Sequence, residues 1–212
     1  MELAIQRRIA HWYVNLVQEG NSLLFYGKPA ETVAVMQEIY TFAKDTHSLS
    51  CSWHDASRIQ HPLDFFDPIL QLKYGSQYQR LDQFNQLKDL FSRNDKTMPD
   101  ISILAELCQQ EKQSPHLNAQ KLPVIFVDGM EELLFRMDYA HLDAPEQKAF
   151  SKGVMEQPSP KGFGNCLRAN LHQTKRGVFC GTVKNPDSLQ YQATLGNYNY
   201  LFYAENFRPV HL

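Results

Sequence analysis

The sequence contains few of the features that mark special classes of protein. Its four cysteines, Cys51, Cys108, Cys166 and Cys180, are scattered and never form a C-x-x-C pair, which predicts reduced thiols and no metal site. No stretch approaches the roughly 18 uncharged apolar residues that a membrane span requires. No apolar signal-peptide core follows the first residues, so we expect a cytoplasmic protein without a membrane span.

The sequence also lacks an excess of charge of either sign, since the formal net charge is only -2. This balance gives no overall attraction to nucleic acid or to an anionic membrane. No serine or cysteine lies in a G-x-S-x-G context, which argues against a nucleophile elbow. The 43% hydrophobic and 21% charged fractions are ordinary for a globular chain, and 212 residues suit one domain.

Short apolar segments alternate with segments of helical periodicity. The apolar segments are uniformly apolar rather than half polar, which predicts a mostly parallel sheet covered by helices on both faces. The fold class is therefore α/β, as a three-layer sandwich. The predicted strands are residues 23–26, 49–53, 123–127, 178–183 and 200–204, and the first two predicted helices are residues 3–18, within an N-terminal segment 1–20, and 31–44.

Residues 58–120 carry mainly helical signals and lack a Gly-, Ser- or Pro-rich linker at both ends. We expect a helical insert that packs on one edge of the sheet, within a single domain of residues 1–212.

The first candidate motif is a strand, a turn and a helix start at residues 22–33. Gly27 would be the first glycine of a phosphate-binding loop, G-x-x-x-x-G-K-[ST], and Thr32 would be its hydroxyl residue. Aligned in this way, the loop is two residues short and lacks the second glycine and the lysine. Lys28 follows Gly27 directly, on the wrong side of the loop to replace that lysine simply.

The second candidate motif is the apolar strand at 123–127, which ends in Asp128 and is followed by Glu131 and Glu132. It is similar to the hhhhDGxDE form of the Walker B strand, in which the aspartate supports magnesium and a following acid activates water. An alternative explanation is a helix start rich in acids, which the helix dipole favours.

Together the two motifs resemble the P-loop NTPases, in the STAND and NACHT-like branch related to AAA+ ATPases. The resemblance implies a sheet in the order 5-1-4-3-2, with residues 23–26 beside 178–183. It also implies a polar sensor at the tip of the fourth strand, for which Thr182, Lys184 and Asn185 are candidates. Arg168, Lys175 and Arg176 could act in trans as arginine fingers or simply form a solvated basic helix end.

The combination of a broken phosphate loop with an acidic Walker B-like strand favours a pseudoenzyme. Such a protein would act through protein contacts, as an accessory or regulatory subunit of a larger ATPase or nucleic-acid-handling assembly, without a cofactor. The alternative is a nucleotide-binding protein or weak ATPase that uses ATP and Mg²⁺ through Thr32, Asp128 and Glu131, with Lys28 or a partner supplying the cation.

Three further alternatives stay open at this level. One is an unrelated α/β enzyme, and another is a homo-oligomer. The third concerns residues 161–164, a basic and aromatic loop that could contact single-stranded nucleic acid or could be a plain surface loop.

Overall fold

A computed structural model describes residues 3–74, 123–139, 142–152, 160, 162–168, 177–200 and 202–212. Helices and strands alternate through most of these ranges. The elements are α1 (Leu3–Gln18), β1 (Leu23–Tyr26), α2 (Pro29–Asp45), β2 (Cys51–Asp55), α3 (Pro62–Tyr74), β3 (Val124–Asp128), α4 (Met130–Asp138), α5 (Ala144–Ser151), α6 (Phe163–Leu167), β4 (Val178–Val183), α7 (Leu189–Ala193) and β5 (Arg208–His211).

The five strands form one sheet in the order β2-β3-β4-β1-β5, and all neighbouring strands pair in parallel. This is the order 5-1-4-3-2 read from the other edge, so the predicted fold class and strand order are confirmed. Leu23 of β1 lies opposite Cys180 of β4, as expected for strands 23–26 and 178–183. The carboxyl ends of all five strands therefore lie along the same edge of the sheet.

Apolar side chains cover both faces of the sheet, which gives the predicted three layers. On one face, α1 and α2 pack through a buried stripe that includes Val14, Met36 and Ile39. On the other face, α3, α4 and α6 pack around residues such as Phe65 and Leu133. Strands covered on both sides favour apolar residues at successive positions, which explains the mainly apolar sequences of β1, β3 and β4.

Helix α1 begins and ends as predicted, but one of its aromatic residues is not a core residue. Ala10, Val14 and Val17 form its buried stripe, at helical spacing. Trp12 lies on the opposite side of the helical wheel from these positions and is 57% exposed.

The predicted boundaries of the second strand and second helix were wrong by two residues. The second strand is Cys51–Asp55 rather than 49–53, because Cys51, and not Leu49, pairs with Val124 at the start of β3. The second helix begins at Pro29 rather than at residue 31, since proline is well accommodated in the first helical turn.

The prediction of a last strand at residues 200–204 was wrong, because β5 is Arg208–His211. Tyr200 and Phe202 are buried against the face of the sheet, where Phe202 contacts the rings of Phe179 and Phe207. Their side chains thus join the core from a turn and not from a strand of the sheet. The observed β5 buries only Val210 and is an edge strand, which tolerates the missing N–H of its proline.

Helix α3 agrees with the helical signals at the start of the segment 58–120. The remainder of that proposed insert, residues 75–120, lies outside the described residues, so the insert stays a prediction. Helix α6 is Phe163–Leu167, and residues 169–176 lie outside the description. No helix in the described part of the chain is long and apolar enough to cross a membrane.

Candidate functional site

The carboxyl ends of the strands bring most of the predicted site residues to one edge of the sheet, as parallel sheets do. Asp55 ends β2, Asp128 ends β3, and these two residues are partners in the ladder. The turn after β4 begins with Lys184, and the turn after β1 begins with Gly27. This set of strand ends is called the carboxyl edge below.

The turn from β1 to α2 is too short to surround a phosphate. Only Gly27 and Lys28 separate the two elements, and α2 begins at Pro29, which has no N–H to donate. The N–H groups of Glu31 and Thr32 both donate to the carbonyl of Lys28, at 2.9 and 3.0 Å. Three of the backbone groups that could form a phosphate nest, at Pro29, Glu31 and Thr32, are thus missing or already bonded within the helix.

Thr32 does not present its hydroxyl to the carboxyl edge. Its side chain is fully buried, and its Oγ1 donates to the backbone oxygens of Pro29, at 3.0 Å, and Lys28, at 3.3 Å. The ammonium of Lys28 lies 3.8 Å from Glu31, and both side chains are largely exposed. An ion pair of this kind contributes little to stability and leaves Lys28 directed toward solvent.

The last residue of the chain packs on the turn at Gly27. Leu212 donates its N–H to the carbonyl of Tyr26, at 2.9 Å. A Cβ added to Gly27 would lie 3.0 Å from the backbone oxygen of Leu212 and 3.3 Å from the Thr32 Cγ2. The φ angle of Gly27 is +154°, in a region that side-chain-bearing residues rarely adopt. Glycine is therefore required here by the backbone and by the close approach of Leu212.

Asp128 is hydrogen-bonded to the predicted sensor residue. Thr182 Oγ1 donates to Asp128 Oδ1 at 2.8 Å and accepts the N–H of Gly129 at 2.9 Å. Thr182 is fully buried, so its hydroxyl joins β4 to the turn that follows β3. The structure thus brings together the Walker B-like aspartate and the sensor-like threonine, and Thr182 serves as the bridge.

Glu131 is buried beneath the turn that follows β4, with 1% of its surface exposed. Its Oε1 accepts the backbone N–H groups of Lys184, at 2.7 Å, and Asn185, at 3.1 Å. Its Oε2 is buried without a hydrogen-bond partner among the described residues. Burial raises the pKa of Glu131 above its ordinary value, although the backbone hydrogen bonds act in the opposite direction. Glu131 thus fixes the turn that carries Lys184 and Asn185, two of the three sensor candidates.

Glu132 forms an ion pair with Lys184 across this edge. Its Oε2 lies 3.0 Å from the Lys184 Nζ, and both side chains are about one-third exposed. Burial acts to lower the pKa of Lys184, but the hydrogen bond to Glu132 and the charges of Asp128, Glu132 and Asp55 raise it overall. The ammonium is therefore held in its protonated form by the surrounding carboxylates.

Two aromatic residues cover the neighbouring end of β1. Tyr26 stacks on the imidazole of His211, with ring centroids 5.2 Å apart, and its hydroxyl lies 3.2 Å from that of Tyr191. Burial and the contact with Tyr191 raise the pKa of Tyr26, so its phenol stays neutral. Sequence reasoning missed these residues, because their contacts join the first strand to residues 165 and 185 positions later.

The loop at residues 161–164 does not offer an aromatic platform. Phe163 is fully buried and is the first residue of α6, so it cannot stack on a nucleic-acid base. Its N–H and those of Gly162 and Gly164 donate to the fully buried carboxylate of Asp138, which also accepts the Tyr200 hydroxyl. Sequence reasoning also missed this buried group.

Three basic residues were considered as trans-acting arginines or as a solvated helix end. Arg168 follows α6 and is partly buried, whereas Lys175 and Arg176 lie outside the described residues.

A cleft of about 310 Å³ opens beside α4, with Glu132, Phe135, Arg136 and Tyr139 among its lining. Arg136 has a structural role, because its guanidinium donates to the backbone oxygens of residues 56 and 59.

Comparisons with known proteins bear on the fold. No protein-family model matches the chain, and no curated protein matches it. The chain is similar to a chain in the structure of Drosophila ORC bound to AT-rich DNA and Cdc6, with a TM-score of 0.50 and 10% sequence identity. The likeness covers 99% of this chain and 53% of that one, so this chain spans about half the length of its structural relative. At this identity the likeness shows a shared fold alone.

Proposed function

We propose that this chain is a catalytically inactive P-loop-NTPase-like module that works through protein contacts, as an accessory or regulatory subunit of a larger assembly. The observation that carries the proposal is the two-residue turn between β1 and α2. Phosphoryl transfer depends on backbone donors and cations that surround the phosphates. A turn of Gly27 and Lys28 with Leu212 packed against it supplies no such cradle.

The acids of the Walker B-like strand support the same proposal, because each has a structural partner. Asp128 accepts the Thr182 hydroxyl, and Glu131 accepts two backbone N–H groups while almost fully buried. A general base must reach a water molecule beside the substrate. In our proposal Glu131 instead holds the turn after β4, which explains its presence without catalysis.

The weak-ATPase alternative requires Thr32, Asp128 and Glu131 to act on one MgATP. Thr32 is the poorest match, since its hydroxyl is buried and donates to the first turn of α2. An active site of this kind would need α2 to begin later in the sequence. The proposed module needs no such rearrangement.

Exposed aromatic residues support a role in protein contacts. Trp12 on α1 is 57% exposed and Tyr198 is 79% exposed. Tryptophan and tyrosine are enriched at the energetically dominant positions of protein interfaces. The structural relative is part of an assembly with DNA and Cdc6 by its description. We propose that this chain also belongs to a larger assembly, in which a protein partner covers α1.

Steady-state turnover of MgATP tests the catalytic part of the proposal. The native chain is compared with Asp128→Asn and Glu131→Gln, and we expect no turnover above the protein-free background in all three. Turnover by the native chain that disappears in both variants would establish the weak ATPase instead. For the partner contact, proteins that copurify with the native chain should be lost with Trp12→Ser and retained with Phe42→Leu, a substitution on α2.

A further inference from the structure

The carboxyl edge contains a positive charge of its own. The Lys184 ammonium lies 3.0 Å from Glu132 Oε2. A Cβ added to Gly129 would lie 3.0 Å from Lys184 Cε, 3.1 Å from its Nζ and 2.9 Å from Glu132 Oε2. The ion pair therefore lies directly over the turn between β3 and α4, and a side chain at position 129 would have to displace it.

The surroundings of this ammonium are acidic. Glu132 is its hydrogen-bond partner, and Asp128 and Asp55 are close enough to raise its pKa. Arg58 is the other cation near Asp55, at 3.3 Å, but its side chain is 86% exposed and its charge is well screened. Lys184 is thus the partly buried positive charge that compensates these three carboxylates.

In P-loop NTPases, the aspartate that closes this strand holds Mg²⁺, and the metal neutralises the charge at the strand ends. We propose that Lys184 is a tethered cation that takes over this neutralising role, so that the turns after β3 and β4 keep their structure without a divalent metal. This inference rests on the proposed function, since an active NTPase would bring its own metal with the nucleotide.

Lys184 also joins two turns that Glu131 already connects. The side chain of Lys184 pairs with Glu132 in the first turn of α4, and its backbone N–H donates to Glu131 in the same turn. Removal of the ammonium would leave the backbone link in place, would deprive Glu132 of its ion-pair partner, and would leave Asp55 with only the exposed Arg58. The described residues hold no group of three side chains arranged for metal binding. A Mg²⁺ ion at this edge would therefore bind through one or two carboxylates and keep several waters, as it commonly does.

Thermal melting of Lys184→Met with MgCl₂ alone tests the inference, with no nucleotide present. The methionine keeps the length and apolar stem of the side chain and removes its charge. We expect its melting temperature to fall by about 2–4 °C and to be restored in part by millimolar MgCl₂. The native chain should not respond to MgCl₂ beyond its response to NaCl of the same ionic strength.

Three controls sharpen this test. Lys184→Arg keeps the charge and should stay insensitive to Mg²⁺, whereas Lys152→Met removes an exposed lysine elsewhere and should melt like the native chain. The double variant Lys184→Met/Glu132→Gln should lose the Mg²⁺ response, because one of the carboxylates is neutral.

Two outcomes overturn the inference. One is a Lys184→Met variant that melts like the native chain, and the other is a destabilised variant that ignores Mg²⁺. If Lys184→Met does not fold in the absence of metal, its refolding yield decides: recovery in MgCl₂ supports a tethered cation, and no recovery contradicts it. Because no ATP is present, these outcomes are independent of the turnover test, in which the proposed function alone would fail.

Discussion

Asp138 is expected to be the most sensitive polar residue among those described. This fully buried carboxylate at the end of α4 accepts the backbone N–H groups of Gly162 and Phe163, both at 2.6 Å, and of Gly164 at 2.9 Å. It also accepts the hydroxyl of the buried Tyr200. Four donors from two distant segments therefore depend on one side chain, and Asp138→Ala should destabilise the fold strongly.

The magnitude follows from the donors that lose their acceptor. A buried donor left without a partner costs about 1–3 kcal/mol, and groups that share one partner are not additive. We expect Asp138→Ala to lower the free energy of unfolding by about 3–5 kcal/mol, a large part of the 5–15 kcal/mol typical of a domain. Tyr200→Phe removes one donor and keeps the three N–H bonds, so about 1–2 kcal/mol is expected.

Urea unfolding followed by circular dichroism measures these losses. The matched control is Asp143→Ala, which removes an exposed capping-box aspartate at the start of α5 and should cost only about 1 kcal/mol. The double variant Asp138→Ala/Tyr200→Phe should lose less than the sum of the two single variants. A loss for Asp138→Ala no larger than for Asp143→Ala would refute the reasoning.

Three further predictions use buried groups. Burial lowers the pKa of His54 from 6.5 to about 4, so the unfolded state takes up its proton first and stability falls by about 3 kcal/mol between pH 6.5 and 4. Acid titration of the melting temperature measures this fall, and His54→Leu should flatten it. Glu131→Ala should cost about 2–4 kcal/mol in urea unfolding, since two N–H groups lose their acceptor. Glu131→Gln keeps an acceptor oxygen and should cost less, and equal losses would contradict this role. Gly164→Ala should cost about 2–3 kcal/mol, because its Cβ would meet the Tyr200 ring, whereas Gly20→Ala meets no atom within 4 Å and should cost about 1 kcal/mol of backbone strain.

The central strands could be predicted because burial on both faces requires mainly apolar segments, which are visible in the local sequence. Residues 23–26 are an uninterrupted apolar run and residues 178–183 are apolar apart from Gly181 and Thr182, and both segments are strands as predicted. The last strand could not be predicted in this way. Arg208–His211 buries one side chain at the sheet edge, whereas Tyr200 and Phe202, from the more apolar run, pack on the core from outside the strands. Apolar content alone does not separate these two arrangements.

The candidate site was predictable only where its residues follow strand ends. Asp128 and Thr182 could be placed at the same edge because Asp128 ends one parallel strand and Thr182 is the last residue but one of another. The pairing of Lys184 with Glu132 joins residues 52 positions apart, and that of Tyr200 with Asp138 joins residues 62 apart. No local pattern specifies such partners, since they are set by how helices pack on the sheet.

Thermal melting of the native chain with and without MgATP tests the central claim most directly. A ligand that binds only the folded state raises stability by RT ln(1 + [L]/Kd), which is about 2.7 kcal/mol at a hundredfold excess over Kd. For a chain of this size, that corresponds to a rise of several degrees. The account predicts that MgATP leaves the melting temperature of the native chain equal to its value in MgCl₂ alone. A saturable rise that Asp128→Asn abolishes would contradict it.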